Sequence, residues 1–145
     1  MPEAVVIDIV TEVHDETLTA LSALVPQLSS TAPPLTRDHL EAVLTSPSAR
    51  LLTARVDGAI VGTLTLVLYT IPTGLRARIE DVVVDQNARG HGVGRALTTA
   101  AVSIAKDHGA RTVDLTSTPT KTAANQLYQS LGFTPRQSTT YRITP

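Results

Sequence analysis

The chain has 145 residues, 42% hydrophobic and 17% charged, which predicts one globular domain over residues 1–145 rather than a disordered segment. A formal net charge of −1 and an aromatic share of 3% argue against a nucleic-acid platform, which needs a concentrated basic face and stacking rings. The absence of cysteine removes disulfides, thiolate nucleophiles and thiolate metal ligands, and it is compatible with a reducing cytoplasm, the location expected here.

In chain order, Ala4–Val10 is rich in Val and Ile and predicts a first strand, with no basic-then-apolar signal-peptide pattern. From Asp15, Leu18, Leu21, Leu24, Val25 and Leu28 recur at near-helical spacing, and Pro26 is expected to end or kink that helix. Ser29 to Pro34 reads as a loop. Thr36 then fits an N-cap ahead of a short helix carrying Leu40, Val43 and Leu44 and stopping before Pro47. Arg50–Val56 and Ile60–Ile71 predict strands joined at Asp57-Gly58, a hairpin signal, with Leu64, Leu66 and Leu68 opposite Thr63 and Thr65. The longest apolar stretch, Ala59–Ile71, is too short and too polar to span a bilayer, so no membrane association is expected. Pro72-Thr73-Gly74 turns the chain into a strand over Arg76–Val84, completing an antiparallel meander.

Val82-Val83-Val84 is a continuous apolar run, as expected of a strand buried on both faces. A glycine-rich loop follows, then a helix from about Gly92 to His108 with Val93, Ala96, Leu97, Ala100 and Ile104 on its buried stripe. With Thr112–Ser117 as the next strand, Ile79–Ser117 forms a βαβ unit. A second amphipathic helix places Ala124, Leu127, Tyr128 and Leu131 on one face, and Gly132 stops it. Phe133–Thr144 is expected to supply one or two closing strands. The fold class is α/β, a mixed, mostly antiparallel sheet of six to seven strands with helices on both faces.

The informative segment is Arg89-Gly90-His91-Gly92-Val93-Gly94-Arg95, between a buried strand and a helix start. Helix N-termini offer unpaired N–H groups and partial positive charge, and alternating glycines let a polyanion reach them. Arg89 and Arg95 add full charge, so the segment predicts a pyrophosphate site. A Walker-type loop would need Gly-Lys-Ser/Thr, but Arg95 and Ala96 follow Gly94; a dinucleotide fingerprint would put its third glycine elsewhere.

Arg89-x-x-Gly92-x-Gly94 resembles the Q/R-x-x-G-x-G/A signature of the GNAT family of N-acetyltransferases. Ile79-Glu80-Asp81-Val82-Val83-Val84 through Ala96-Leu97 resembles that family's central motif, and Ala124 to Phe133 resembles its second, a helix ending in Leu-Gly-Phe. The agreement in motif order and spacing runs over Arg50 to Phe133. The resemblance implies an acetyl-CoA-dependent transfer of an acetyl group to a primary amine. It implies that Gly90, His91, Gly92, Val93 and Gly94, with Arg89 and Arg95, grip the pyrophosphate of acetyl-CoA. Val82, Val83 and Val84 would bond the pantetheine arm through their backbone, and Val82 would serve as oxyanion donor.

The chemistry needs a base for the amine and an acid for the departing thiolate. Family position favours Glu80 as base with Asp81 as the alternative, strand alternation pointing the two to opposite faces; the plainer reading has both solvate the strand end or pair with Arg76 or Arg78. Tyr128 would be the acid, its plainer role being a core tyrosine. Asn125 would contact pantetheine or cap a neighbouring turn. Lys121 stands where many members carry asparagine, and it could meet a phosphate. The four histidines show no metal-ligand spacing, so no metal is expected.

The acceptor is not legible. Arg37, His39, Tyr69, Arg136, Tyr141 and Arg142 are the polar candidates, and a small amine is the expected partner, with acylation of a protein or peptide amine as the alternative. A homodimer is compatible with the family. A non-catalytic acyl-CoA sensor would keep the loop but lose Glu80, Asp81 and Tyr128, which are present; a nucleotide-binding regulatory domain is a more distant reading.

Overall fold

The computed structural model describes residues 4–145. Among them one five-stranded sheet runs in sequence order: β1 (Val5–Val10), β2 (Ala49–Val56), β3 (Ala59–Ile71), β4 (Gly74–Val84) and β5 (Val113–Asp114). The first four strands are antiparallel neighbours, and β5 lies parallel to β4. The helices are α1 (Asp15–Leu28), α2 (Arg37–Thr45), α3 (Val93–Asp107) and α4 (Thr122–Ser130). None is long and apolar enough to cross a membrane.

Alternation along the strands sorts two cores. Leu52, Leu64, Leu66, Ala77 and Ile79 pack with Val93, Leu97, Ala101 and Ala105 of α3 on one face. Leu51, one residue out of phase, joins Leu21 of α1 and Leu40 of α2 on the other. Thr53 and Thr63 share that second face; the Thr63 hydroxyl donates to the Leu52 carbonyl at 2.8 Å, which makes its burial affordable. Each fully buried leucine contributes about 1.5–3 kcal/mol, so α3 is held chiefly by this apolar stripe. The β2–β3 turn is as expected: Asp57 and Gly58 both have positive φ, 51° and 81°.

Three expectations are corrected. The sheet has five strands, not six to seven, because Phe133–Thr144 forms no strand among the described residues. The predicted strand Thr112–Ser117 shortens to Val113–Asp114, so it offers almost no ladder edge on which the tail could pair. Tyr141 and Ile143 accordingly stand 91% and 87% exposed. Lastly, of the two outcomes expected at Pro26, the ending is overturned: it lies inside α1, which runs on to Leu28.

Candidate functional site

The site is built around the second half of β4. Thr63 pairs with Val83 and Thr65 with Glu80, so Leu64 alone faces both Asp81 and Val82. This is a bulge, with Asp81 held at φ 50°, a left-handed conformation that aspartate tolerates better than most side chains. The bulge resets the alternation. Glu80 and Val83 therefore fall on the face of Thr65 and Thr63, while Val82 and Val84 pack into the α3-side core. The expectation that Glu80 and Asp81 simply alternate is corrected by the extra residue.

Beyond Arg78 the outer edge of β4 has no strand partner among the described residues. β5 meets β4 only at Ala77–Val113 and Arg78–Asp114, after which the strands part. Among the described residues, Glu80 to Val84 therefore have a strand neighbour on the β3 side alone. The valine run is apolar on both faces, Val83 buried on one and Val82 and Val84 half-buried on the other.

At the end of β4 a single 3₁₀ turn, Gln86–Ala88, leads into the loop and α3. Gly92 is the N-cap of α3 at φ 79°, and no side chain caps the helix. Gly90 has φ 85°, and a Cβ at either glycine would meet nothing within 4 Å. The positive φ values demand glycine, and the open space leaves the first-turn N–H groups accessible. Gly94 lies inside α3, 3.4 Å from Leu127 of α4 measured from an added Cβ. Arg89 Nε donates to the Val84 carbonyl at 3.3 Å, folding that residue onto the strand end. Arg95 points elsewhere: its Nη2 donates to Ser130 Oγ at 2.7 Å, tying α3 to the end of α4. His91 is exposed on the loop, and Val93 is buried against the sheet.

Between Arg76 and Arg78 of β4, the segment from β5 to Ser117, α4 and the C-terminal tail lies a cleft of about 860 Å³, and Tyr128 and Asn125 both line it. Tyr128 meets Phe133 edge-on, ring centroids 5.9 Å apart, and burial raises its phenol above the usual value near 10. The hydroxyl thus keeps its proton at neutral pH. Asn125 Nδ2 donates to the Thr118 carbonyl at 3.0 Å, the turn-capping role rather than a free contact. Glu80 accepts from Arg78 Nε, and Arg78 Nη2 also reaches Thr116 Oγ1. Burial, and then the charge of Glu80, raise the Asp81 carboxyl above its ordinary value.

A family model described as "Acetyltransferase (GNAT) family" matches residues 12–133. The chain belongs to the GNAT family. That family uses acetyl-CoA, and this GNAT domain also resembles curated and solved members. A mycothiol acetyltransferase of Beutenbergia cavernae is 34% identical over 79 residues, covering 54% of this chain and 26% of that protein. The chain thus spans about a quarter of that relative's length. A candidate acetyltransferase from Agrobacterium tumefaciens superposes with a TM-score of 0.83 at 26% identity, covering 97% of this chain and 99% of its own. The structure of AAC(6')-Iy with the bisubstrate analogue CoA-S-monomethyl-acetylneamine superposes at 0.78, with 21% identity and coverage of 98% and 99%. At that identity the likeness concerns the GNAT fold alone.

The acceptor candidates do not converge. Arg37 pairs with Asp15 at the starts of α2 and α1, Tyr69 lies in register with Arg76, Arg136 lines the cleft, and Tyr141 faces solvent. Sequence reasoning missed a clasp made by Gln27. Its side-chain oxygen accepts from the Gln86 backbone N–H at 3.0 Å, and its nitrogen donates to Asp85 Oδ1 at 3.2 Å. The end of α1 is thereby tied to the entry of the glycine loop. No local signal marks a bond between residues 59 apart.

Proposed function

We propose that this GNAT domain transfers an acetyl group from acetyl-CoA to a primary amine of a small molecule, acting in the cytoplasm as a direct-transfer enzyme. The observation that carries the reading is the uncapped N-terminus of α3, fronted by Gly90 and Gly92 with open space before them, at the end of a strand whose outer edge has no strand partner beyond Arg78 among the described residues. Those residues fit a diphosphate and a pantetheine arm laid along Val82 to Val84. Bound there, acetyl-CoA supplies an activated acyl group. The backbone N–H of Val82 would face the developing oxyanion, and the Tyr128 hydroxyl would give its proton to the departing sulfur.

Glu80 is the proposed base, held in place by Arg78. Asp81 is the alternative, and one observation favours it: its raised carboxyl has a greater proton affinity, while no ion pair ties it down among the described residues. Thiol release from acetyl-CoA across a panel of primary amines, with calorimetry against CoA, tests the reading. Tyr128→Phe and one of Glu80→Gln or Asp81→Asn should lower kcat by about 10²–10⁴-fold while the heat of CoA binding stays. Absence of heat with CoA, or unchanged turnover in all three variants, would end it.

A further inference from the structure

The cleft that Tyr128 lines has a charge character the proton-transfer chemistry does not use. Four charged residues face it: Arg76, Arg78, Arg136 and Asp114. Arg78 is shared with Glu80. Arg76 and Arg136 form no ion pair among the described residues, and neither does Asp114.

Arg76 is the better placed of the two. Its Nη1 donates to Thr112 Oγ1 at 3.0 Å and its Nη2 to Thr73 Oγ1 at 3.0 Å, so two neutral hydroxyls fix the plane of the guanidinium without neutralising it. Its Nε is buried with no acceptor. Ser117 Oγ, in the wall of the same cleft, is likewise buried with no partner. A guanidinium carries five donors in a planar fork, and here only two are engaged. A fork fixed in this way and lacking a carboxylate matches the paired oxygens of a carboxylate or phosphate.

The anion concerned is not the diphosphate of the acyl donor. Arg76 and Val84 lie eight residues apart on β4, roughly 26 Å of extended strand, and the glycine loop begins beyond Val84. A diphosphate at the loop cannot also sit on Arg76, and the ribose 3′-phosphate of the donor lies on the far side of that diphosphate from the pantetheine arm. Tyr128, the proposed acid, and Arg78, the partner of Glu80, line the same cleft, so the ligand left to fill it is the acceptor.

We propose that the amine acceptor carries an anionic group, a carboxylate or a phosphate, which Arg76 and Arg136 bind in the cleft lined by Tyr128. This rests on the acetyltransferase reading for the reaction but not for the binding. The site makes the arginines determinants of specificity, outside the proton-transfer machinery.

Matched amines separate the possibilities. The carboxylate arm compares 4-aminobutyrate with 4-aminobutanamide, and the phosphate arm compares phosphoethanolamine with ethanolamine, each in the thiol-release assay and by calorimetry in the presence of CoA. At least one anionic member should exceed its neutral partner in kcat/KM by about tenfold or more, the value of one charge-assisted contact. Arg76→Gln should raise KM for that anionic amine by about ten- to hundred-fold, leave kcat and the neutral partner nearly unchanged, and leave CoA binding intact. Arg76→Lys should restore part of the loss, and Arg136→Gln should act in the same direction. If no amine is turned over, the acetyltransferase reading fails, and the calorimetric preference for the anionic member, lost in Arg76→Gln, still decides the site. Equal handling of charged and neutral amines in both assays, or an equal loss for both in Arg76→Gln, overturns the proposal.

Discussion

Asp81 combines a left-handed backbone with a like charge beside it on an exposed side chain, and local desolvation together with that charge acts against its ionised form. A carboxyl whose folded pKa is raised binds its proton more tightly in the folded state, so the ionised group subtracts stability at neutral pH. Below the unfolded value of 3.8 both states are protonated and the effect vanishes. Asp81→Asn, which also suits a positive φ, should therefore raise the melting temperature at pH 7 by no more than about 1–2 °C, since the exposed site is screened by solvent, with the gain fading as pH falls toward 3.8 and gone below it. Thermal unfolding followed from pH 3 to pH 8 checks this. The residue types at positions 80, 81 and 128 were legible as candidates because their chemistry is intrinsic to the side chain. Their orientation was not, since one bulge residue reverses every facing after it.

Among the elements, β3 and α3 approach closely at Gly62. A Cβ there would lie 3.0 Å from Val93 Cγ1, 3.2 Å from Leu97 Cδ1 and 3.3 Å from the Val83 carbonyl. Gly62→Ala should destabilise the protein by about 1–3 kcal/mol, because the added methyl would press on Val93, Leu97 and the Val83 carbonyl, all of them part of the packed interior. Gly94→Ala makes the contrast. Its Cβ meets Leu127 at 3.4 Å, an ordinary contact, and alanine suits a helix interior, so folding should hold while CoA affinity falls. Denaturant melts together with CoA calorimetry distinguish the two. The helices were readable from 3.6-residue periodicity, and the glycine loop from its composition. The clasp of Gln27 on Asp85 and Gln86 was not, because it joins segments that only the folded chain brings together.

Across the whole molecule, order is distributed unevenly. Leu52, Ala54, Leu64, Leu66 and Ala77 are fully buried in the centre of the sheet, where strands have partners on both sides. β5 is two residues long, and residues 133–145 have no strand partner. Hydrogen exchange should accordingly be slowest over β2, β3 and the first half of β4, and fastest from Thr134 onward. Adding CoA should slow exchange at the Val82–Val84 amides and in the first turn of α3, leaving β1 unaffected. Protection by CoA spread evenly over the sheet, or confined to α1, would place the ligand elsewhere.

Read as a string, the residues determined the order of elements, the antiparallel meander, the glycine loop before α3 and the GNAT membership. These depend on periodicity, turn chemistry and spacing, which are local properties of a chain. Tertiary structure alone decided the number of strands, the bulge at Asp81, the residue after which β4 and β5 part, and the Arg76 guanidinium held by hydroxyls rather than by a carboxylate. Each of those depends on which backbone groups find partners across the sheet, and such pairing between distant segments leaves no trace in the residues nearby.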